Sequence, residues 1–285
     1  MKTPYLMIRD PELKNIMLIK DFAHFTDRGF YLDPFINLIS NSLLFMIGKR
    51  WKIMQQKLNP GFNSGKLKLM KSLRTGKKMA QLSIQARKEL VLNNDLIPEE
   101  KFTDIDIVAN VILLFAAGAE PVFDTFAFCF YELALNKPIQ DKLRQHIYVT
   151  REKHETMRKH SEVIVLFREA TNTYPVPGQS LIIEKGQKII TPTNSIYHDP
   201  KYYPNPDIFD PERFSPEEKA KRPKASELFF SDGLRFCIGK RLAEIELKLC
   251  SSEIISNFEV LECRKTENPI QITPTGMVVK PKNGV

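Results

Sequence analysis

Apolar positions along this chain recur mostly at helical spacing, and short apolar runs suited to strands are few. Leu6-Met7-Ile8 reads as a short strand. Asp10-Pro11-Glu12 then opens a helix with an N-cap, a proline at the first position and an acid in the first turn. Leu13, Ile16 and Met17 form its buried face. Asp27-Arg28-Gly29 marks a turn, and a second helix starts at Gly48-Lys49-Arg50-Trp51 and stops near Asn59-Pro60-Gly61. Residues 65–94 are basic and helical in pattern. The longest helix is predicted from Thr103 or Asp104 to Leu135, closed by Asn136-Lys137-Pro138. Residues 146–160 are polar and charged, without an apolar stripe. Val163 to Phe167 form an apolar run that leads into Glu169-Ala170-Thr171-Asn172. Leu181-Ile182-Ile183 and Lys188-Ile189-Ile190 flank Glu184-Lys185-Gly186-Gln187 and predict a hairpin. A second hairpin is expected around Pro274-Thr275-Gly276. The fold class is therefore mainly α with small β-sheets at the side (α+β).

Composition narrows the picture only a little. With 285 residues, 42% hydrophobic and 27% charged, the chain is an ordinary globular one that can bury a sizeable core, and it is read as a single domain over residues 1–285. The net charge of +8 comes from scattered basic residues with no basic stripe interleaved with aromatics, so nucleic acid is not the expected partner. An acidic protein face or an anionic membrane surface fits the charge better. Cys129, Cys237, Cys250 and Cys263 show neither a paired framework nor zinc spacing, which favours a reducing compartment. No signal peptide or anchor is read at the N-terminus. The longest strongly apolar run, Val111 to Ala119, falls short of the roughly 20 residues a membrane span needs.

The chemistry concentrates at Phe230-Ser231-Asp232-Gly233-Leu234-Arg235-Phe236-Cys237-Ile238-Gly239. This is a glycine-punctuated loop with one cysteine, followed at once by a helix whose apolar face is expected at Leu242, Ile245 and Leu249. Cys237 stands just ahead of that helix, where unpaired amides and the positive end of the dipole favour a thiolate. Gly233 permits a positive φ, and Gly239 lets a flat ligand approach where a Cβ would collide. Arg235 lies within reach of an acid group on such a ligand, and Phe230 can cover the sulfur. A thiolate, a flat surface and a cation for a carboxylate describe a socket for haem held by cysteine.

The spacing Phe230-x-x-Gly233-x-Arg235-x-Cys237-x-Gly239 resembles the haem-ligand loop of the cytochrome P450 monooxygenases. Further segments are similar to that family in order along almost the whole chain, and the stretches around Asp27-Arg28-Gly29 and after Trp51 look most like its insect microsomal members. The resemblance implies haem b as cofactor with Cys237 as axial ligand to iron. It implies electrons from NADPH through a reductase that docks on a basic face near Lys240 and Arg241, and a small apolar substrate. It also implies the endoplasmic reticulum membrane surface as location, here through peripheral contact. Trp51 matches a tryptophan that binds a haem propionate. Ala117-Gly118-Ala119-Glu120-Pro121 resembles the oxygen-activating helix, in which Glu120 keeps the acid of the proton relay. Thr125, one turn on, offers a hydroxyl on nearly the same face.

Three positions depart from the family pattern. Gln55 stands where an arginine follows the tryptophan, and Pro121 replaces the relay alcohol and should bend the helix. Glu169-x-x-Asn172 resembles the family's Glu-x-x-Arg helix with asparagine in the arginine's place. Glu169 would then pair with Arg213 alone, and a three-member network would be broken. The chain is also abbreviated, with few residues between Met70 and Thr103 for the helices that roof the pocket. Two readings stay open on these residues: an abbreviated haem-thiolate monooxygenase, or a catalytically impaired haem-binding or interaction relative.

Overall fold

A computed structural model describes residues 4–30, 37–62, 102–146, 150–273 and 279–283. The basic stretch at 65–94 and the expected Met70-to-Thr103 shortening lie largely outside the described residues. The remaining architecture is helical, with three small sheets. Its helices are α1 (Pro11–Asn15), α2 (Gly48–Leu58), α3 (Asp104–Leu135), α4 (Lys137–His146), α5 (Thr150–Lys159), α6 (Thr193–Tyr197), α7 (Pro216–Ala220) and α8 (Lys240–Asn257). The mainly α class with sheets at the side is what the chain folds into.

Local signals explain several boundaries. Asp10 caps α1 by accepting from the Leu13 amide at 2.7 Å, with Pro11 at the first position. At the start of α3, Thr103 and Asp106 form a capping box: each side chain accepts from the other's backbone N–H. The helix then continues through Pro121 to Leu135. Proline there removes one intrahelical bond, and the packing of the surrounding turns carries the helix past it.

Helix α3 is the axis of the molecule and packs against α4, α5 and α8. Its second half supplies core residues, among them Phe128, Cys129 and Leu133. Among the described residues it is the one helix long and apolar enough to cross a membrane, and only its second half is packed into a helical core. Its first half is open instead: Val108, Ile112 and Phe115 are exposed, as is Phe123 beyond them. The second half is fastened to α5 by a buried polar contact. Glu132 Oε1 receives Lys159 Nζ at 2.9 Å and His160 Nε2 at 2.6 Å. Burial works to raise the Glu132 carboxyl, but those two hydrogen bonds hold it below its ordinary range. This clamp brings the end of α5 against the C-terminal end of α3.

The sheets pair differently from the sequence expectation. Strands β1 (Tyr5–Met7), β2 (Leu166–Glu169) and β5 (Lys188–Thr191) form one sheet, with β5 central, parallel to β1 and antiparallel to β2. Strand β4 (Ile182–Ile183) pairs with β3 (Tyr174–Pro175), not with β5. The expected 181–190 hairpin is therefore a corner between two sheets. Gly186, at φ 84°, turns the chain there. Strands β6 (Ile272–Thr273) and β7 (Lys280–Pro281) do form an antiparallel pair, a few residues further out than the pattern placed it.

Two further expectations are corrected. Residues 146–160 contain α5, a helix whose stabilising contacts are ionic and therefore leave no apolar stripe. Glu169 lies on strand β2, where it pairs with Lys188, and is not on a helix. Along α8 the buried face is Leu247, Ser251 and Ile255, because that side meets the core helices, whereas Leu249 is exposed.

Candidate functional site

The cysteine loop is built before any ligand enters. Leu228 to Ser231 turns back on itself, Asp232 caps a single turn at Gly233–Arg235, and the Cys237 amide donates to the Phe230 carbonyl at 2.8 Å. Gly233 sits at φ 70°, and a Cβ there would lie 1.7 Å from the Leu18 carbonyl oxygen, so only glycine closes this loop onto the first helical segment. Gly239 leads into α8. A Cβ at Gly239 would meet, among the described residues, only Cys237 Sγ, at 3.8 Å, so nothing else crowds that side of the sulfur. Cys237 is exposed on this side.

The thiolate expectation needs correction. Burial of the sulfur's inner side pushes the Cys237 thiol up, and this outweighs the amides of Gly239 and Lys240, which donate to it, and the nearby Arg28. The helix terminus acts in the direction foreseen, but desolvation is larger.

Arg235 also differs from expectation. It is 1% exposed and its guanidinium is spent on the protein. Nε donates to the Thr26 carbonyl at 2.8 Å, and one terminal nitrogen donates to the Met46 carbonyl at 2.9 Å and to Asp27 at 3.3 Å. Its plane lies over the Trp51 ring at 3.9 Å. Trp51 is buried with Phe22, Met46, Met54 and Leu58, so the pair joins α2 to the cysteine loop. Gln55, in the position of the missing arginine, donates to the Leu234 carbonyl at 2.7 Å and ties the same loop. Arg50 is turned away to Asp106 at 2.7 Å. Phe230 contributes its backbone carbonyl, and its ring lies 5.8 Å from the Lys240 ammonium.

The sequence did not single out the two residues that complete this site. Arg168, on β2, is 4% exposed; it donates to the Phe167 carbonyl at 2.7 Å, and its Nε has no hydrogen-bond partner among the described residues. Arg28 reaches the Arg235 carbonyl at 3.2 Å. Burial, reinforced by mutual repulsion with Arg28, lowers both Arg168 and Arg235 to about 9. Three guanidiniums thus converge beside the cysteine loop, and among the described residues only Asp27 forms an ion pair with any of them. A buried excess of positive charge is costly unless an anion joins it. An arginine inside the apolar run Leu166-Phe167-Arg168 was the available signal.

The motif network was sought in the wrong place. Glu155 and Arg158, both 0% exposed, form a two-pronged pair through 2.7 and 2.8 Å contacts on α5. Arg213 Nε adds a third member at 3.5 Å from Glu155. Arg158 also donates to the Tyr197 carbonyl at 3.1 Å. The Glu-x-x-Arg network is complete at Glu155, Arg158 and Arg213, and Asn172 has no part in it.

On α3, Glu120 lies on the exposed side, and Ala116 to Ala119 beside it are open as well. Thr125 is buried, with its hydroxyl 2.8 Å from both the Pro121 carbonyl and Glu162 Oε1. The pair Glu120 and Thr125 is thus not brought together as one acid–alcohol unit.

Comparison with known proteins decides the family. The Cytochrome P450 family model matches residues 1–285. This chain belongs to the cytochrome P450 family. It is 36% identical to cytochrome P450 6a8 of Drosophila melanogaster over 72% of this chain and 44% of that protein. It is 34% identical to cytochrome P450 6B1 of Papilio polyxenes over 81% of this chain and 49% of that one. The similarity to cytochrome P450 6a2 of Drosophila melanogaster is 28% and runs over 421 aligned positions, 99% of this chain and 83% of the relative. That span exceeds the 285 residues present, so the relative carries internal sequence that this P450 chain lacks. Family membership makes this a haem-thiolate monooxygenase by descent, with haem as cofactor and NADPH as the electron source. The residues present fit haem: a cysteine with open space at its sulfur, and a buried cationic cluster that lacks its anions.

Proposed function

We propose that this chain binds haem b with Cys237 as the ligand to iron and Arg28 and Arg168 as the groups that receive the propionates, beside Arg235, which adds its charge while bracing the loop. The observation that carries this reading is the set of three converging arginines with a single carboxylate among them. When bound, haem supplies dioxygen activation and one-electron chemistry. Every other requirement falls to the protein. Gly233 and Asp232 fix the loop so that Cys237 is held without adjustment, and Gly239 leaves the flat approach clear. Trp51 and Gln55 brace the loop from α2. Arg168 offers an Nε donor that no protein group uses among the described residues, which suits a propionate oxygen.

The exposed first half of α3 is the proposed substrate wall. Phe115 and Ala116 to Ala119 give it apolar character, which suits contact with a small apolar molecule. Glu120, from the exposed side of α3, and Thr125, from its buried side, are proposed to handle protons separately. The exposed Lys240 and Arg241 at the start of α8 would meet an acidic reductase surface. Placement at the endoplasmic reticulum membrane surface follows from the insect relatives.

The experiment separates propionate capture from general haem affinity. Wild-type chain should take up haem far more tightly than haem dimethyl ester, whose carboxylates are blocked. Arg168→Leu should shrink that preference by about tenfold or more, the loss expected for one charge-assisted hydrogen bond of ~1.5–3 kcal/mol. Equal binding of both compounds by the wild type would contradict the reading.

A further inference from the structure

We infer that Glu162 is a proton-bearing partner of Thr125, and that the pair replaces the acid–alcohol relay that Pro121 removes from α3. The inference rests on the haem-monooxygenase reading above and assigns Glu162 a positioning role that acts through Thr125.

A count of donors carries the inference. Thr125 Oγ1 lies 2.8 Å from the Pro121 carbonyl oxygen and 2.8 Å from Glu162 Oε1. A hydroxyl has one proton, and a carbonyl can only accept. If Thr125 donates to Pro121, the ordinary bond of a threonine to the carbonyl four residues back, then Glu162 must itself supply the hydrogen for the second contact. An ionised carboxylate has none. The arrangement that satisfies both contacts is a neutral Glu162 carboxylic acid donating to Thr125, which donates to Pro121.

The surroundings favour that neutral form. Glu162 follows α5 at the point where the Glu132 clamp brings it against α3, and it is half-buried there. The groups facing it are acidic: Asp124 and Glu120 on α3. From the last β pair the Val279 amide donates to the backbone carbonyl of Glu162, leaving its side chain to α3. Burial first, then Asp124 and Glu120, raises the Glu162 carboxyl to about 8, against the opposing pull of the Thr125 hydroxyl and amide. No cation contacts the carboxyl among the described residues. A proline at position 121 has neither hydroxyl nor amide hydrogen, so a mobile proton on this face of α3 has to come from outside the helix. Glu162 is the group positioned to bring one, with Thr125 as the carrier on the helix itself. The proton returns to Glu162 from solvent through its exposed edge, so nothing is consumed.

The test reads the protonated carboxyl directly by infrared spectroscopy of the full 285-residue chain. A Glu246→Gln background removes a second carboxyl that burial raises to about 7. At pH 7 the chain should show a carboxylic-acid carbonyl stretch that titrates away with a midpoint near 8. Glu162→Gln should abolish it. Thr125→Val should keep the band but shift it, because the acid loses its acceptor. Absence of the band at pH 7, or its persistence in Glu162→Gln, overturns the inference. If Glu162→Gln does not fold, the Thr125→Val shift decides alone, and an unshifted band counts against the proposal. Haem uptake measured on the same samples separates the two readings: failed uptake sinks the monooxygenase reading, and normal uptake without the band sinks only this one. In haem-loaded chain, product formed per NADPH should fall as pH rises through the same midpoint in the wild type. The ratio should be flat with pH in Glu162→Gln.

Discussion

Arg168 illustrates how a single side chain can work against the empty fold and for the filled one. It is a buried cation repelled by Arg28 and unmatched by a carboxylate of its own, so it destabilises the chain without ligand. Arg168→Leu should therefore raise the stability of ligand-free protein by about 1–3 kcal/mol, read from the urea midpoint, while weakening haem retention. A loss of ligand-free stability would mean that the cationic cluster is already neutralised. His154 makes a second prediction at this scale. It packs flat on Phe229 at 5.6 Å, and burial, aided by Lys153, Lys219 and Lys240, lowers it to about 3. The unfolded chain takes up a proton near pH 6.5 that the folded chain refuses, so stability falls as pH drops below that value. The loss approaches ~1.4 kcal/mol per pH unit and levels off only near 3. His154→Phe should remove this part of the acid slope between pH 6 and 4, measured by urea midpoints; an unchanged slope would put the burden on His160, which burial also lowers. At residue level the loop's turn and its glycines were legible, because they follow one another in sequence, while the raised Cys237 thiol and the internal partners of Arg235 were not. Arg28 and Arg168 were not, since their role exists only where distant segments meet.

Helix α5 is where reading from sequence failed most clearly, and the reason is physical. Apolar periodicity finds helices held by hydrophobic burial, but α5 is fixed by the Glu155–Arg158 pair within it and by the contacts of Glu155 to Arg213 and of Lys159 to Glu132 on other elements. The apolar run at 163–167 drew the motif assignment downstream to what is a strand. The literal spacing Glu155-x-x-Arg158 was present and would have been the better signal. Arg158→Leu should strip the buried Glu155 of its two-pronged partner and leave it only the longer contact to Arg213, a cost of about 3–5 kcal/mol that a marginal domain does not survive, so little folded protein should be recovered. Glu169→Gln, which breaks only the partly exposed pair with Lys188, should cost about 1 kcal/mol or less in a urea titration. The opposite ranking would return the network to Glu169. On α3, restoring the relay alcohol through Pro121→Thr should raise product formed per NADPH, and an unaltered ratio would remove the proton-relay role from this turn. Boundaries of α2 and α3 were legible because caps, glycine and proline punctuate them. The sheet pairings were not, because strands of two to four residues take their register from tertiary packing.

Across the whole molecule, the described residues keep the proximal side of a P450 intact: the cysteine loop, the Glu155–Arg158–Arg213 network, α8 and the arginine cluster are all assembled. One of the three departures that favoured an impaired relative, the broken network, is thereby removed. Gln55 turns out to brace the loop, which leaves Pro121 as the departure with chemical consequence. The first half of α3 stays open among the described residues, and the insect relatives carry additional internal sequence. The measurement that bears most directly on the whole account is the carbon monoxide difference spectrum of the reduced, haem-loaded chain. A strongly red-shifted Soret band of the thiolate type in the wild type, lost in Cys237→Ser, is the predicted result. The same band surviving in Cys237→Ser, or no such band in wild-type chain that has taken up haem, would contradict it.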